Sequence, residues 1–127
     1  MKTALLIAAV LAAGAVSAPV TAEAPEPGAA TTFEGWINFS GEEFQLIDSE
    51  NRYVSGLRRP CVSGALPRDE QRMAAATIGR QKVRVTGTAQ AWSDDLPGDR
   101  LDYEGSNIRN ECDGAFVILG TDIAVIQ

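Results

Sequence analysis

From residue 33 onward, apolar and polar side chains alternate with a period of two in several separate stretches, the pattern of strands with one face buried. In Phe33-Glu34-Gly35-Trp36-Ile37-Asn38-Phe39, the alternation puts Phe33, Ile37 and Phe39 on one face and Glu34, Trp36 and Asn38 on the other. Ser40-Gly41-Glu42 supplies turn chemistry. Residues 43–48 (EFQLID) read as a second strand, polar at Glu43, Gln45 and Asp48. Ser49-Glu50-Asn51 reads as another turn. Residues 52–63 (RYVSGLRRPCVS) read as a third strand, with Gly56 at a bulge or bend and Pro60 at an edge or strand end. Residues 82–91 (KVRVTGTAQA) alternate again: Val83, Val85, Ala89 and Ala91 face inward, while Arg84, Thr86, Thr88 and Gln90 face outward. Gly87 falls on the inward register, where a strand can coil tightly. Residues 115–126 (AFVILGTDIAVI) are strongly apolar; Val117, Leu119, Ile123 and Val125 share the register read as inward.

One segment of the second half breaks this period. Residues 67–78 (PRDEQRMAAATI) predict a helix. Pro67 suits a first helical position, Asp69 and Glu70 lie near the positive end of the helix dipole, and Gly79 terminates it. Its apolar stripe is weak, built from Met73, Ala76 and Thr77 with Leu66 ahead of it. Residues 93–113 are polar and rich in turn formers, and read as one long connection.

The first 32 residues carry a different pattern. In MKTALLIAAVLAAGAVSAPVTA, Lys2 precedes an apolar run from Ala4 to Val16 and then small residues. This is the layout of a secretory signal peptide. Cleavage fits after Ala18 or after Ala22; the second is favoured, because the first leaves Pro19 directly behind the cut. Gly14, Ser17 and Pro19 interrupt the run, which argues against an uncleaved anchor helix. Residues 23–32 (EAPEPGAATT) read as a flexible spacer, leaving residues 33–127 as the folded domain. The compact, Ala-rich signal looks bacterial, so the expected location is the periplasm or the medium, with no membrane span after cleavage.

In that setting the two cysteines, Cys61 and Cys112, are read as a disulfide. A loop of this size gives about 4 kcal/mol in the chain-entropy picture, a large share of the roughly 5–15 kcal/mol of a small domain. The CxxC spacing of a redox-active pair is missing.

Five strands with one helix between the third and fourth resemble the OB-fold, a small Greek-key barrel. Residues 79–88 (GRQKVRVTGT) look like the fourth strand of such barrels and residues 118–125 (ILGTDIAV) are similar to their closing strand. The resemblance implies a five- to six-stranded barrel. It names no activity, and the nucleic-acid-binding members use an aromatic and basic face on the second and third strands. Here the second strand carries Glu43, Gln45 and Asp48, and Tyr53 and Arg58 are the candidates for such a face on the third. With 17 acidic against 11 basic residues and a formal net charge of −6, nucleic acid is not an expected partner.

The chain has no histidine. That removes Ser-His-Asp and Cys-His nucleophiles and imidazole metal sites. Lys82, the one lysine outside the signal, has no S-x-x-K motif. Asp94, Asp95, Asp99, Asp102 and Glu104 crowd one loop without EF-hand spacing, and read as an exposed acidic loop; no metal or cofactor is assigned. Arg52, Arg58, Arg59, Arg68 and Arg72 read as surface residues paired with Asp69, Glu70 and neighbours. Trp36, Arg58, Arg84, Trp92 and Tyr103, with loop 93–113, are the candidate contact surface of a non-enzymatic exported binding module. Its partner is an unspecified protein or small ligand of the cell envelope. Two other readings stand beside it: a small inhibitor presenting loop 93–113 to a secreted hydrolase, and a hydrolase using the loop carboxylates.

Overall fold

The computed structural model describes residues 17–19 and 30–126. The predicted apolar run of the signal, and the spacer as far as residue 29, lie outside the described residues. Residues 17–19, inside the predicted signal, form strand β1 (Ser17–Pro19), which runs parallel to Thr32–Glu34.

The period-two segments close on themselves. Strand β2 (Ala30–Ser40) turns through Gly41 (φ +62°) into β3 (Glu43–Ile47), which pairs antiparallel with β4 (Val62–Ala65). β4 runs parallel to β8 (Phe116–Val125). β8 pairs antiparallel with β5 (Lys82–Ala91), and β5 returns to the first half of β2, from Ala30↔Thr88 to Trp36↔Lys82. The result is a closed five-stranded OB-like Greek-key barrel with a helix between its third and fourth strands. β2 begins at Ala30, three residues ahead of the expected start, because its first residues pair with β5. Phe33, Ile37, Phe44, Leu46, Val62, Leu66, Val83, Val85, Phe116 and Ile118 fill the interior.

Two glycines are required by strand contact. A side chain at Gly87 would put Cβ 2.2 Å from the Leu119 carbonyl oxygen, and one at Gly64 would meet the Ile118 carbonyl at 2.6 Å and the Phe44 ring at 2.8 Å.

The third strand is shorter than its sequence pattern. Residues 50–54 form helix α1 (Glu50–Val54), capped by Ser49, whose hydroxyl accepts from the Arg52 N–H. The Ser49-Glu50-Asn51 triplet is a helix cap and first turn, and Tyr53 is buried with its hydroxyl donating to the Ile37 carbonyl at 2.7 Å. Only residues 62–65 remain extended. Arg58 therefore lies in irregular chain before Pro60, not on a strand.

The last strand has a phase change. Thr86 pairs with Asp122 and Gly87 with Gly120, so Thr121 is an extra residue, a bulge. Ahead of it the inward residues are Phe116 and Ile118; beyond it Ile123 packs on the same core. Val117 and Leu119, expected to face inward, instead point to the outer face. There they pack with Ala65, Ile108, Trp92, Leu101 and Tyr103 in a second cluster. A bulge shifts the alternation by one, and the run of apolar residues hid that shift because both faces of this half-strand are covered.

Helix α2 (Arg68–Thr77) starts one residue after Pro67. Its buried residues are Gln71 and Ala74, while Met73 is 67% exposed. The expected Met73 stripe is thus on the solvent side. Ala74 packs against the barrel core beside Leu66, and a polar residue, Gln71, fills the other buried position. Cys61 and Cys112 form a disulfide. Among the described residues no helix is long and apolar enough to cross a membrane.

Substituting Ile118→Asp puts an uncompensated charge in the barrel interior, and should give no cooperatively folded protein by circular dichroism and thermal melting. Leu119→Asp, on the half-covered outer face, should remain folded with a lowered Tm. The reverse order would contradict the inward register.

Candidate functional site

The connection after β5 is not a featureless loop. Leu101–Tyr103 (β6) and Ser106–Ile108 (β7) form a hairpin. Its turn residues, Glu104 (φ +46°) and Gly105 (φ +90°), both have positive φ, as a two-residue type I′ turn demands. The hairpin lies over β4 and β8 and covers Val117 and Ala65. The Tyr103 hydroxyl donates to the Gly120 carbonyl at 2.8 Å, the Ser106 hydroxyl to the Leu66 carbonyl at 2.7 Å, and the Arg68 N–H to the Glu104 carbonyl at 3.0 Å.

Past the hairpin, the backbone wraps around a single carboxylate. Glu43 is 1% exposed. Its Oε1 accepts from the N–H groups of Arg109 (2.7 Å) and Asn110 (3.1 Å), and its Oε2 from the Glu111 N–H (3.0 Å) and the Gln45 side-chain amide (3.0 Å). Gln45 in turn accepts from Asn38 Nδ2 at 2.8 Å. Consecutive N–H groups form a concave anion seat of this kind, and here the chain fills it with its own Glu43. The next residue, Cys112, donates its N–H to Ser63 Oγ at 3.0 Å and carries the disulfide. Asn110 (φ +60°) and Gly114 exchange side-chain and backbone bonds of 2.9 and 3.2 Å. Glu43 and Gln45, expected on an outward acidic face, are buried because both faces of β3 are covered.

Two cavities meet at the Gly41–Glu42 turn. One, about 350 Å³, lies between that turn and the long connection, among Ser40, Glu42, Arg100, Asn107, Arg109 and Glu111. The other, about 400 Å³, lies between the turn and α2, among Arg68, Gln71, Arg72, Ala75, Ala76 and Ser106. Glu42 stands between them and accepts from the Asn107 N–H at 3.1 Å. Four arginines thus border one barrel end. Among the described residues the ion pairs are Arg52–Asp48 and Arg84–Glu34, so Arg68 and Arg72 are not paired with Asp69 or Glu70. Gln71, 3% exposed, accepts from the Leu66 N–H at 3.0 Å and leaves its Nε2 without a partner. An unsatisfied buried donor costs about 1–3 kcal/mol.

The residues singled out from the pattern fall in three places. Trp36 and Arg84 share the outer face of the β2–β5 pair. Arg84 bonds Glu34 at 2.8 Å, and the Lys82 ammonium lies 5.0 Å from the Trp36 ring centroid. Trp92 and Tyr103, the latter on the hairpin itself, pack in the outer cluster and are half-buried. Trp36 is opposite Lys82 at the start of β5 and Trp92 follows its end, a strand length on the order of 30 Å. Arg58 lies in the irregular segment after α1. Asp94, Asp95, Asp99 and Asp102 are exposed along the connection, and among the described residues no three His, Cys, Asp or Glu side chains converge as metal ligands. Arg100 and Arg109 lie in the connection 93–113 that the sequence offers as contact surface, and Arg68 and Arg72 in its basic run; Gln71 carried no spacing signal, and Glu42 figured only as a turn residue.

Burial raises the Tyr103 phenol above its ordinary 10.0, with the carboxylates of Glu104 and Glu70 adding to the effect. The folded state therefore holds this proton longer than the unfolded chain. Its contribution to stability is complete below 10.0 and is lost as pH rises through the raised value. Tyr103→Phe should flatten the alkaline decline of Tm relative to wild type; an unchanged decline would count against it. Glu43→Gln turns an amide donor toward backbone N–H groups and should cost about 2–3 kcal/mol in urea unfolding. Exposed Glu111→Gln should cost under about 0.5 kcal/mol.

No family model matches this chain, and no curated protein does.

Proposed function

We propose that the protein is an exported, disulfide-bridged binding module without enzymatic activity, acting in the bacterial periplasm or outside the cell. Its contact surface is the barrel end where the Gly41–Glu42 turn meets the long connection and α2. The observation that carries this reading is the pair of adjoining cavities at that turn, bordered by Arg68, Arg72, Arg100 and Arg109. In a chain of net charge −6, the four guanidinium groups stand there beside the carboxylates of Glu42, Glu43 and Glu111, a mixed-charge rim whose arrangement selects a partner of complementary charges. The disulfide is consistent with an oxidising compartment. Loops held on a rigid barrel are where such folds place contacts.

A second reading is a small inhibitor of a secreted hydrolase. The seating of residues 109–111 on Glu43 and of Cys112 in the disulfide favours it, because a segment already fixed loses little freedom on binding.

Residues 23–127, immobilised and exposed to periplasmic extract, should retain a partner that the double variant Arg100→Glu/Arg109→Glu releases. Both side chains are exposed, and equal melting of the two proteins would show that the fold is kept. Equal capture by both would remove this surface. A captured hydrolase whose activity falls on binding would favour the inhibitor reading.

A further inference from the structure

We propose that the exposed segment 54–60 inserts into the cleft of an endopeptidase that cleaves after arginine, with the Arg58 side chain entering an acidic specificity pocket. The proposal rests on the inhibitor reading and names the inserting segment and the class of enzyme that takes it.

Every residue from 54 to 60 is exposed, between buried Tyr53 and half-buried Cys61. Val54 and Leu57 are 66% and 63% exposed, among the few large apolar side chains that the described residues leave in water. Apolar side chains standing in water beside an arginine have the composition of a contact surface. Leu57, Arg58 and Arg59 belong to neither helix nor strand. Among the described residues Arg58 enters no hydrogen bond or ion pair, through side chain or backbone. Its guanidinium, N–H and C=O groups are therefore all open to a partner.

The segment is exposed but braced. Upstream, the Tyr53 hydroxyl donates to the Ile37 carbonyl at 2.7 Å, and the Arg80 guanidinium lies 5.1 Å from the centre of the Tyr53 ring. The Leu57 N–H donates to the Arg52 carbonyl at 2.9 Å, closing a turn through Gly56 (φ +82°). Downstream, the Arg59 guanidinium donates to the Glu111 carbonyl, and Cys61 carries the disulfide. Glu111 is itself seated on Glu43 through its N–H. One bond crosses from the upstream side to the downstream side: the Arg52 guanidinium donates to the Pro60 carbonyl at 2.9 Å. A segment held in this way loses little freedom when it is bound.

The chemistry of the segment selects the enzyme. Arg52 and Arg59 are used by the fold, and Arg58 is left to the partner. A guanidinium taken out of water needs a carboxylate to meet it, and an acidic pocket of this kind is what peptidases that cleave after arginine present. The bond exposed to attack joins Arg58 to Arg59. When the enzyme's hydroxyl adds to the Arg58 carbonyl carbon, that bond breaks and the hydroxyl proton passes to the Arg59 nitrogen. The Arg59–Glu111 and Arg52–Pro60 bonds hold the freed amine beside the acyl group. It attacks back, re-forms the peptide bond and returns the proton to the enzyme, so the segment occupies the cleft and is cut slowly.

The test follows hydrolysis of a small arginyl amide by trypsin in the presence of the oxidised protein, with chymotrypsin on an aromatic amide as the control. Saturable inhibition of trypsin and not of chymotrypsin is the expected result, with only slow cutting between residues 58 and 59 by mass spectrometry. Arg58→Ala, at an exposed position without a partner, should leave Tm unchanged and weaken the inhibition about thirtyfold or more. Arg58→Leu should transfer inhibition to chymotrypsin, whose pocket is apolar. Absence of trypsin inhibition would overturn the proposal, as would rapid cutting of the unaltered protein or equal inhibition by Arg58→Ala. Retention on phosphatidylglycerol vesicles that Arg58→Ala loses, with trypsin unaffected, would overturn it in favour of a membrane surface. If a periplasmic hydrolase is inhibited equally by the unaltered protein and by Arg58→Ala, the inhibitor reading survives the loss of this segment. If no hydrolase is inhibited, both fall.

Discussion

The arrangement of the working end depends on one buried carboxylate. Glu43 leads the second barrel strand, yet its side chain turns into the protein and takes hydrogen bonds from three consecutive backbone N–H groups and the Gln45 amide. A carboxylate withdrawn from water is tolerated only when its lone pairs are met by donors. Meeting them fixes residues 109–111 against β3. The disulfide begins one residue further on, and Ser63 receives the Cys112 N–H. Three different kinds of bond, ionic hydrogen bonds, a covalent bridge and a backbone-to-hydroxyl bond, thus attach one short segment to adjacent barrel strands. The cavity beside the Gly41–Glu42 turn exists because that segment cannot move away.

The outer hairpin follows from a second constraint, the covering of apolar surface on both sides of β8. Ile118 faces the barrel interior and Val117 faces out. An exposed row of Val117, Leu119 and Ala65 would be an apolar patch next to an edge. The hairpin of β6 and β7 lies over that row with Leu101, Tyr103 and Ile108. Its turn touches the start of α2 through the Glu104 carbonyl and Arg68 N–H. The helix that plugs the barrel and the hairpin that covers its side therefore share a boundary, and the second cavity opens along it.

Electrostatics sets the character of this end. The chain is acidic as a whole, and three of its eight exposed aspartates, Asp94, Asp95 and Asp99, lie along the connection before β6. The four arginines at the cavities come from α2 and from residues 100 and 109, far apart in sequence. Beside them stand the carboxylates of Glu42, Glu43 and Glu111, and such an arrangement of both signs sets specificity and encounter more than it adds affinity. With no histidine in the chain, recognition by arranged donors is chemistry these residues can supply.

The sequence by itself determined the barrel. Phe33, Ile37, Val83, Val85 and Ala89 fall on one register of the alternation, Pro67 and Gly79 bracket the helix, and the two cysteines pair with each other. These are local or pairwise properties, visible wherever burial has a fixed period. Three things were not legible. The bulge at Thr121 moved Val117 and Leu119 to the outer face, since an apolar run has no period to show a one-residue shift. The Ser49 cap turned the first residues of an expected strand into α1, since local capping outweighed weak alternation. Glu43, Gln71 and the arginines around Gly41 acquired their roles only when distant segments met, because a polar side chain on a strand or helix looks solvent-facing until another part of the chain covers it. Tertiary structure alone decided which polar groups were enclosed, because enclosure depends on neighbours that no spacing along the chain records.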